Sequence, residues 1–499
     1  MARHRIPAQA LRNFISILAG FLIGGLNNLV VLPWAFEGHL EDWGLVRLAA
    51  AWGTLIGPLL AFSAPAAINR FSPRFKASDE LPQLHGSLLH PLLFSLVFMV
   101  LLPSLLVPEA VAHLLGLEGQ ETQAIRPIAC LAGIQALQVY FAAFLSSRLK
   151  TSLATFINET LVKLGYMSLA VALGLGALGL HQFLPAFVGV YAIALTLLVS
   201  QALANRYRID IKGFRSLSIR RELLTYGASM ILGSGAWVIL AQIDVIMVGR
   251  LMGLEWVPAF TIAAFIGTVT AIPMRSFMRL ALPLISTALN KEDMPEVWRI
   301  TRLSHRSMLL GGGWILTSIW VSTPQIDLLM KPEFKGLGVV IGTIGLFKVI
   351  NASALGSTLL IGQSAHYRSM IGLNWMMVAL AIPLNFLFIP EAGLGMGLHG
   401  AALATLLALS CSIVLKQWVV WRKWGTFIPR RNSLLIIAVL AVPALLLHPW
   451  NPAWGAVLTL AVKGIIVTGW VGAATLIFKL LPEGVKPLAK RWPALERWT

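Results

Sequence analysis

Long apolar segments separated by short polar ones make up most of the chain. Each segment has about 20 mostly apolar residues, enough for one helical crossing of a bilayer. Because the bilayer core holds no water, backbone groups there must hydrogen-bond within the segment, so continuous apolar runs predict helices rather than strands. The predicted spans are 11–33, 43–69, 86–107, 124–147, 152–178, 183–204, 223–249, 256–288, 301–325, 338–362, 368–390, 397–421, 433–449 and 453–481.

The order of these segments predicts two halves. Residues 48–54 (LAAAWGT) resemble residues 262–268 (IAAFIGT) at an offset of 214, in the second and the eighth predicted spans. Internal repeats of this kind are common in transporters. We therefore expect a six-helix bundle with its linker at 1–222, a second six-helix bundle at 223–432, and two appended helices with a tail at 433–499. The two bundles are expected to surround a central cavity.

Composition supports a membrane protein over a soluble one. The chain is 57% hydrophobic and 12% charged, whereas soluble domains carry about twice that charged fraction. The expected fold class is therefore an all-α polytopic membrane protein with about 14 transmembrane helices. Cys130 and Cys411 lie in apolar segments without neighbouring Cys or His, a pattern that predicts neither a disulfide framework nor a metal site. The first apolar run is too long for a signal peptide and predicts an uncleaved span.

Basic residues are distributed unevenly between the two sides of the predicted membrane. Of the 39 lysines and arginines, 29 fall in loops or adjoining span ends on the side of the N-terminus, five in loops or span ends on the other side, and five deeper within predicted spans. The larger group includes Lys416, and the group of five on the other side includes Arg47. The positive-inside rule then predicts that both termini are cytoplasmic in a bacterial inner membrane. Anionic lipid headgroups account for the net charge of +18 without nucleic-acid binding.

Ionisable residues within predicted spans are the candidates for function, because charge is costly at membrane depth. They are Glu159, Lys163, Asp244, Arg275, Arg279, Lys348 and Lys463. Five are basic and two acidic, a balance that favours an anionic passenger. The predicted substrate-binding residues are Lys348, Arg275, Arg279, Lys163, Asn27 and Asn28. The predicted coupling or gating residues are Asp244 and Glu159.

Each candidate also has a structural interpretation. Glu159 and Lys163 are four residues apart in the order that favours an intrahelical ion pair. Arg275 and Arg279 are expected either to face the cavity or to extend toward the headgroups. Asp244 is either a gate or a solvated helix end. Lys463 serves packing, a lipid-facing groove or the main pathway. The two asparagines either line the cavity or hydrogen-bond between helices.

Motifs of catalysis are missing from the sequence. It has no Walker A, HExxH or GxSxG motif and no acidic cluster of metal-binding type. The GxGxxG pattern at residues 395–400 opens a membrane span with no preceding strand, so a dinucleotide site is not expected there. The predicted loops are too short to hold a catalytic domain. We therefore predict no catalytic residues, no metal site and no cofactor.

Three segments carry a resemblance to a known family. Residues 242–253 (QIDVIMVGRLMG), 385–390 (NFLFIP) with 397–405 (GLHGAALAT), and 69–75 (NRFSPRF) resemble signatures of O-antigen type polysaccharide flippases. These belong to the multidrug/oligosaccharidyl-lipid/polysaccharide exporter superfamily. The chain departs from the family pattern at 258–260, where Pro-Ala-Phe replaces the usual Gly-x-Tyr, and this weakens assignment to a particular substrate branch.

The resemblance implies a passenger and a mechanism. An undecaprenyl-diphosphate-linked oligosaccharide is expected to be moved outward by alternating access, for biosynthesis of surface polysaccharide such as lipopolysaccharide. Membrane lipids and other polysaccharide-assembly proteins are the remaining expected partners, and nucleic acid is not one. Two alternatives stay open: a drug/cation antiporter of the same superfamily, and a membrane-embedded enzyme of glycan assembly. The surplus of basic residues and the two extra spans favour the flippase over the antiporter, and the short loops disfavour the enzyme.

Overall fold

The described part of the chain is helical. The computed structural model describes residues 2–61, 64–77, 81–115, 117, 122, 124–148, 150–208, 210, 220–364, 366–428 and 431–480. All regular secondary structure in these residues is helical, which confirms the predicted all-α fold class. The chain forms two compact units, Met1–Pro258 and Ala259–Thr499.

Twelve α-helices lie in the described residues of the first unit. They are α1 (Ala2–Leu26), α2 (Leu32–Ala35), α3 (Leu40–Leu60), α4 (Ala64–Ala77), α5 (Leu81–Leu96), α6 (Leu102–Leu106), α7 (Pro108–Leu115), α8 (Ile125–Ser147), α9 (Thr151–Thr155), α10 (Val162–Gly174), α11 (Leu180–Ala204) and α12 (Arg220–Leu251). Three π-helical segments join consecutive helices without a loop. They are Asn27–Val31 between α1 and α2, Val97–Leu101 between α5 and α6, and Phe156–Leu161 between α9 and α10.

The core of this unit lies where α4, α5, α8 and α11 meet. Leu84, Leu92, Phe144 and Leu198 are fully buried there. Helices α3 and α8 approach so closely that a β-carbon at Gly57 would lie 2.9 Å from the β-carbon of Gln135. Small residues at such contacts let membrane helices pack by dispersion, since lipid supplies no hydrophobic driving force between helices.

The second unit holds the remaining helices. They are α13 (Val257–Thr268), α14 (Ile272–Asn290), α15 (Met294–Val321), α16 (Thr323–Leu329), α17 (Gly338–Ser353), α18 (Leu355–Gln363), α19 (Tyr367–Phe388), α20 (Gly397–Trp424), α21 (Arg431–Leu447) and α22 (Ala456–Ile477). The last two helices share a core with α15, in which Leu310, Val321, Leu440 and Val467 are buried. They are therefore an integral part of this unit.

The number of spans depends on whether each pair of helices joined by a sharp bend is counted as one span. Within the described residues, nine helices are long and apolar enough to cross a bilayer, or eleven if each of two bent pairs is one span. One such pair is α17 and α18, which correspond to the tenth predicted span and are bent by 45°. A multi-pass membrane protein is confirmed, and the count of fourteen stays a prediction.

The boundary between the compact units falls after Pro258. The sequence predicts a boundary after residue 222, before α12. In the structure α12 packs against α3 and α4 of the first unit, which explains the later position of this boundary. The grouping of helices into two six-helix bundles with an appended pair stays a prediction.

Candidate functional site

An arginine inside α3 is the centre of a polar cluster in the first unit. Nη2 of Arg47 donates a hydrogen bond to Oδ1 of Asn28, and its guanidinium carbon lies 5.5 Å from the centre of the Tyr166 ring. Arg47 is seven residues from the first residue of α3, about 10 Å along the helix axis. The sequence groups Arg47 with the loop residues, at the start of the second predicted span, whereas the structure places it within α3 and half-buried.

The charge of Arg47 is held by neutral groups. An amide oxygen and an aromatic face are its partners, and no carboxylate among the described residues forms an ion pair with it. Tyr166 is itself fixed by an edge contact to Phe187, with ring centres 4.9 Å apart. The cluster therefore has a net positive charge, and the N–H donors of the Arg47 guanidinium have a fixed orientation.

Asn27 and Asn28 are the first two residues of the π-helical segment that follows α1. Asn27 is buried, and its Oδ1 has no hydrogen-bond partner within the described part of the chain. Buried polar atoms without a partner are rare, and π-helical turns are frequent at functional sites. The predicted role of the two asparagines in substrate binding is therefore compatible with their positions and stays a prediction.

Glu159 and Lys163 form the ion pair that their spacing predicts. Nζ of Lys163 lies 3.0 Å from Oε2 of Glu159, and both side chains are more than a third exposed. Glu159 belongs to a second π-helical segment, which packs against α1 so closely that a β-carbon at Gly20 would clash with the Glu159 carbonyl oxygen. The pair thus lies beside a tight helix contact, and its part in coupling stays a prediction.

The second unit holds the deeper basic candidates. Lys348 is the eleventh residue of α17, half-buried, with Nζ 4.9 Å from the centre of the Phe347 ring. It precedes the bend between α17 and α18 by about one and a half turns. Arg275 and Arg279 lie on α14, and their side chains are outside the part that the structure describes.

Asp244 is buried on α12. Burial argues against the interpretation of this residue as a solvated helix end. Its predicted role as a gating or coupling residue is not decided by its position.

Two further lysines are buried in the second unit. Lys416, which the sequence groups with the loop residues near the end of the twelfth predicted span, lies within α20 and is 2% exposed. Lys463 in α22 is fully buried, and its ammonium donates to Val321 O, Gln325 Oε1 and Asn451 Oδ1 at 2.7, 3.1 and 3.1 Å. The sequence identified Lys463 by its depth, but its acceptors come from distant segments and could not be predicted.

An apolar groove of about 420 Å³ lies between α15, α17 and α21. We refer to it as the apolar groove. Its lining is Leu309, Gly313, Leu316, Thr317, Trp320, Val339, Gly342, Thr343, Leu346, Val349, Ile437, Leu440, Ala441 and Ala444. Gly313 allows α21 to approach α15, since a β-carbon there would lie 2.3 Å from Cδ1 of Leu440. The groove therefore has the chemistry to hold a hydrocarbon chain.

A second cavity, of about 490 Å³, lies in the first unit and includes Glu41, Asp42 and His181 in its lining. The described residues contain no group of three or more His, Cys, Asp or Glu side chains that could hold a metal ion. Cys130 and Cys411 are both free and exposed. This cavity therefore offers carboxylates to solvent without forming a metal centre.

The apolar helices of the described residues are those of a multi-pass membrane protein. The profile of the family described as polysaccharide biosynthesis protein matches residues 10–288, which is 279 of the 499 residues. The chain belongs to this polysaccharide biosynthesis family. No curated protein matches the chain.

Solved structures show the same fold at low sequence identity. The lipid II flippase MurJ in an inward closed conformation superimposes with a TM-score of 0.68 at 14% identity, covering 94% of this chain and 98% of that one. The MATE multidrug transporter DinF-BH gives 0.61 at 14% identity, covering 86% and 97%. An inward-facing multidrug resistance MATE family transporter of the MOP superfamily gives 0.56 at 14% identity, covering 87% and 96%. These structures show the shared fold, and the family profile confirms the resemblance of the three motifs to a polysaccharide family.

Proposed function

We propose that the protein moves an undecaprenyl-diphosphate-linked oligosaccharide from the cytoplasmic to the outer leaflet by alternating access, as a step in surface polysaccharide biosynthesis. The family supports a role in polysaccharide assembly. A lipid-linked passenger has three chemically different parts: a diphosphate, a polyprenyl chain and a glycan. The described residues offer separate surfaces for the first two.

Arg47 is the observation that carries the proposal. A guanidinium is planar, always charged and forms paired hydrogen bonds to phosphate oxygens. The contacts of Arg47 to Asn28 and Tyr166 orient it without neutralising it. We assign Arg47, Asn27 and Asn28 in the first unit to recognition of the diphosphate. Lys348, Arg275 and Arg279 are the candidates for the same task in the second unit. Lys163 is a further candidate whose charge is paired with Glu159.

The polyprenyl chain is assigned to the apolar groove of the second unit. Its lining is almost entirely hydrocarbon, and Leu346 and Ile437 are at least 40% exposed at its edge. An isoprenoid chain that leaves the bilayer for this groove exchanges one apolar surrounding for another, so packing rather than the hydrophobic effect decides its affinity. Gly313 and Gly342 in the lining allow Leu440 and Trp320 to pack directly against the backbones of α15 and α17.

The membrane potential can drive outward movement of this passenger. The diphosphate carries about two negative charges, and each is worth about 2.3 kcal/mol per 100 mV of inside-negative potential. With the predicted cytoplasmic termini, outward transport moves these charges in the favoured direction. A coupled ion is therefore not required by the energetics, and Asp244 and Glu159 are the candidates if one is used.

Transport in proteoliposomes tests the proposal. Purified protein is reconstituted with an undecaprenyl-diphosphate-linked disaccharide that carries a fluorophore on the sugar, and an impermeant reductant reports its arrival in the outer leaflet. We expect protein-dependent transfer that is faster when valinomycin and a potassium gradient make the interior negative. Protein-free vesicles are the control.

The antiporter alternative predicts a different result in the same vesicles. It predicts uptake of a cationic dye driven by a proton or sodium gradient, with no movement of the lipid-linked disaccharide. That outcome would overturn the proposal. Transfer of the disaccharide without dye uptake would support it.

A further inference from the structure

The side chain of Lys463 is fully buried, and its ammonium group has neutral oxygen partners among the described residues. An ammonium group has three N–H donors, and all three are used, on Val321 O, Gln325 Oε1 and Asn451 Oδ1. A charge removed from water is costly unless all of its hydrogen bonds are made. Lys463 therefore holds its acceptors in a fixed arrangement.

The three acceptors belong to three different segments. Val321 is the last residue of α15, where the negative end of the helix dipole favours a cation. Gln325 is in α16, and Asn451 is in the segment between α21 and α22. Nε2 of Gln325 also donates to Oδ1 of Asn451 at 2.7 Å. Lys463 thus joins the end of α15 to the segment that connects the last two helices.

This network lies next to one end of the apolar groove. Trp320, which lines the groove, stacks on His448 at the end of α21, with ring centres 5.2 Å apart. Thr323 at the start of α16 contacts the same histidine at 3.4 Å. Farther along the groove, Oγ1 of Thr317 donates to the Leu440 carbonyl oxygen of α21 at 3.4 Å. The Lys463 network therefore fixes the end of α21, and α21 is one wall of the groove.

We propose that Lys463 is a positioning residue that holds α21 against α15 and thereby sets the width of the apolar groove for a long polyprenyl chain. This inference rests on the proposed function, since it assumes that the groove receives the lipid. Lys463 itself contacts neither the diphosphate nor the glycan. Its effect is expected on the chain-length preference of the protein rather than on recognition of the diphosphate.

Cross-linking tests the position of α21 without any ligand. In a background with Cys130→Ala and Cys411→Ala, cysteines replace Thr317 and Leu440, and a short bifunctional methanethiosulfonate joins them. Lys463→Met removes all three hydrogen bonds of the ammonium group, and we expect it to slow the reaction at least about tenfold. Asn451→Asp keeps three oxygen acceptors and should react as the parent does. Ile465→Met, an exposed position on the same helix, is the matched control.

Ligand binding tests the chain-length effect. Undecaprenyl diphosphate and farnesyl diphosphate share a headgroup and differ only in chain length, and native mass spectrometry measures both. Lys463→Met should weaken binding of the long chain about tenfold and leave the short one unchanged. The proposal would be overturned if Lys463→Met weakened binding of both lipids equally, or if the folded variant bound both lipids as the parent does. Gln325→Met removes one acceptor and provides the same test if Lys463→Met does not fold. A parent protein that binds neither lipid would contradict the proposed function, and cross-linking would still decide the role of Lys463.

Discussion

The side chain of Asn28 accepts a hydrogen bond from the guanidinium of Arg47, across two helices of the first unit. This contact ties the π-helical segment after α1 to α3, and the ring of Tyr166 adds a contact from α10. Three spans therefore determine the position of one charge. A cation held in this way meets its ligand with little loss of side-chain entropy, which is the advantage of a preorganised site.

Substitutions at Arg47 should show whether transport needs only its charge or also the planar geometry of its guanidinium. Arg47→Ala should lower transport of the lipid-linked disaccharide about tenfold to a hundredfold, because a hydrogen bond to a charged group contributes about 1.5–3 kcal/mol. Arg47→Lys should retain part of the activity, since a lysine keeps the charge but loses the planar fork. Arg250→Ala, an exposed arginine at the end of α12, is the matched control. Wild-type transport by Arg47→Ala at normal protein level would exclude Arg47 from the site.

The helices were predictable because few backbone structures are stable within a bilayer. Long apolar segments must satisfy their own backbone hydrogen bonds, so their length and composition determine their structure. The breaks inside them were not predictable. Residues 27–31 (NNLVV) and 156–161 (FINETL) contain polar side chains but no Gly or Pro that would mark a break, and the structure has π-helical segments there.

Local pairs in the candidate site were predictable and distant ones were not. Glu159 and Lys163 are one helical turn apart, so their ion pair follows from spacing alone. The partner of Asn28 is nineteen residues away in another helix. Arg47 is grouped with the loop residues because it lies near the predicted start of a span. At such a position the sequence does not distinguish an arginine that extends toward the headgroups from one that points into the protein interior.

An aromatic cluster at the end of α11 predicts a dependence of stability on alkaline pH. Tyr207 stacks on His85 with ring centres 5.2 Å apart, and its hydroxyl lies 2.9 Å from that of Tyr140. Burial raises the pKa of Tyr207 to about 12, from the ordinary value of about 10. The neutral phenol is thus favoured in the folded state. The contribution of the raised Tyr207 pKa to the free energy of unfolding is complete below about pH 10 and is lost as the pH rises toward 12.

Thermal unfolding of the purified protein in detergent checks this effect. Tyr207→Phe removes the titrating group, so it should make the decline in stability between pH 10 and 12 shallower. At neutral pH the same substitution should cost about 0.5–1.5 kcal/mol, the value of one hydrogen bond. Tyr367→Phe, an exposed tyrosine in the second unit, is the control and should leave the pH profile unchanged.

The predicted orientation can be tested with single cysteines. Leu328 in α16 is 69% exposed, and Thr426 follows the end of α20. With cytoplasmic termini, Leu328→Cys should react with an impermeant thiol reagent in intact cells, while Thr426→Cys should react only after the membrane is permeabilised. The native Cys130 and Cys411 are exposed and are replaced beforehand. Labelling of Thr426→Cys in intact cells would reverse the orientation.

Variants of Lys348 test whether a positive charge in the second unit receives the diphosphate. It is half-buried about 15 Å along α17, five residues before the helix ends at Ser353. If its charge receives the diphosphate, Lys348→Arg should keep substantial transport, Lys348→Ala should reduce it about tenfold and Lys348→Glu should abolish it. In each of these variants the amount of protein in the membrane should stay normal.

A structural role for Lys348 predicts a different pattern in the same variants. Loss of an interaction needed for folding would lower protein abundance for Lys348→Ala and Lys348→Glu together, because a buried partner would be left without its hydrogen bond. Abundance and transport are therefore measured in parallel, by immunoblot of membranes and by the proteoliposome assay. Lys335→Ala, near the start of α17 and exposed, serves as the control. Full transport by Lys348→Glu would remove this residue from the site, since a reversed charge in the path of a diphosphate repels it.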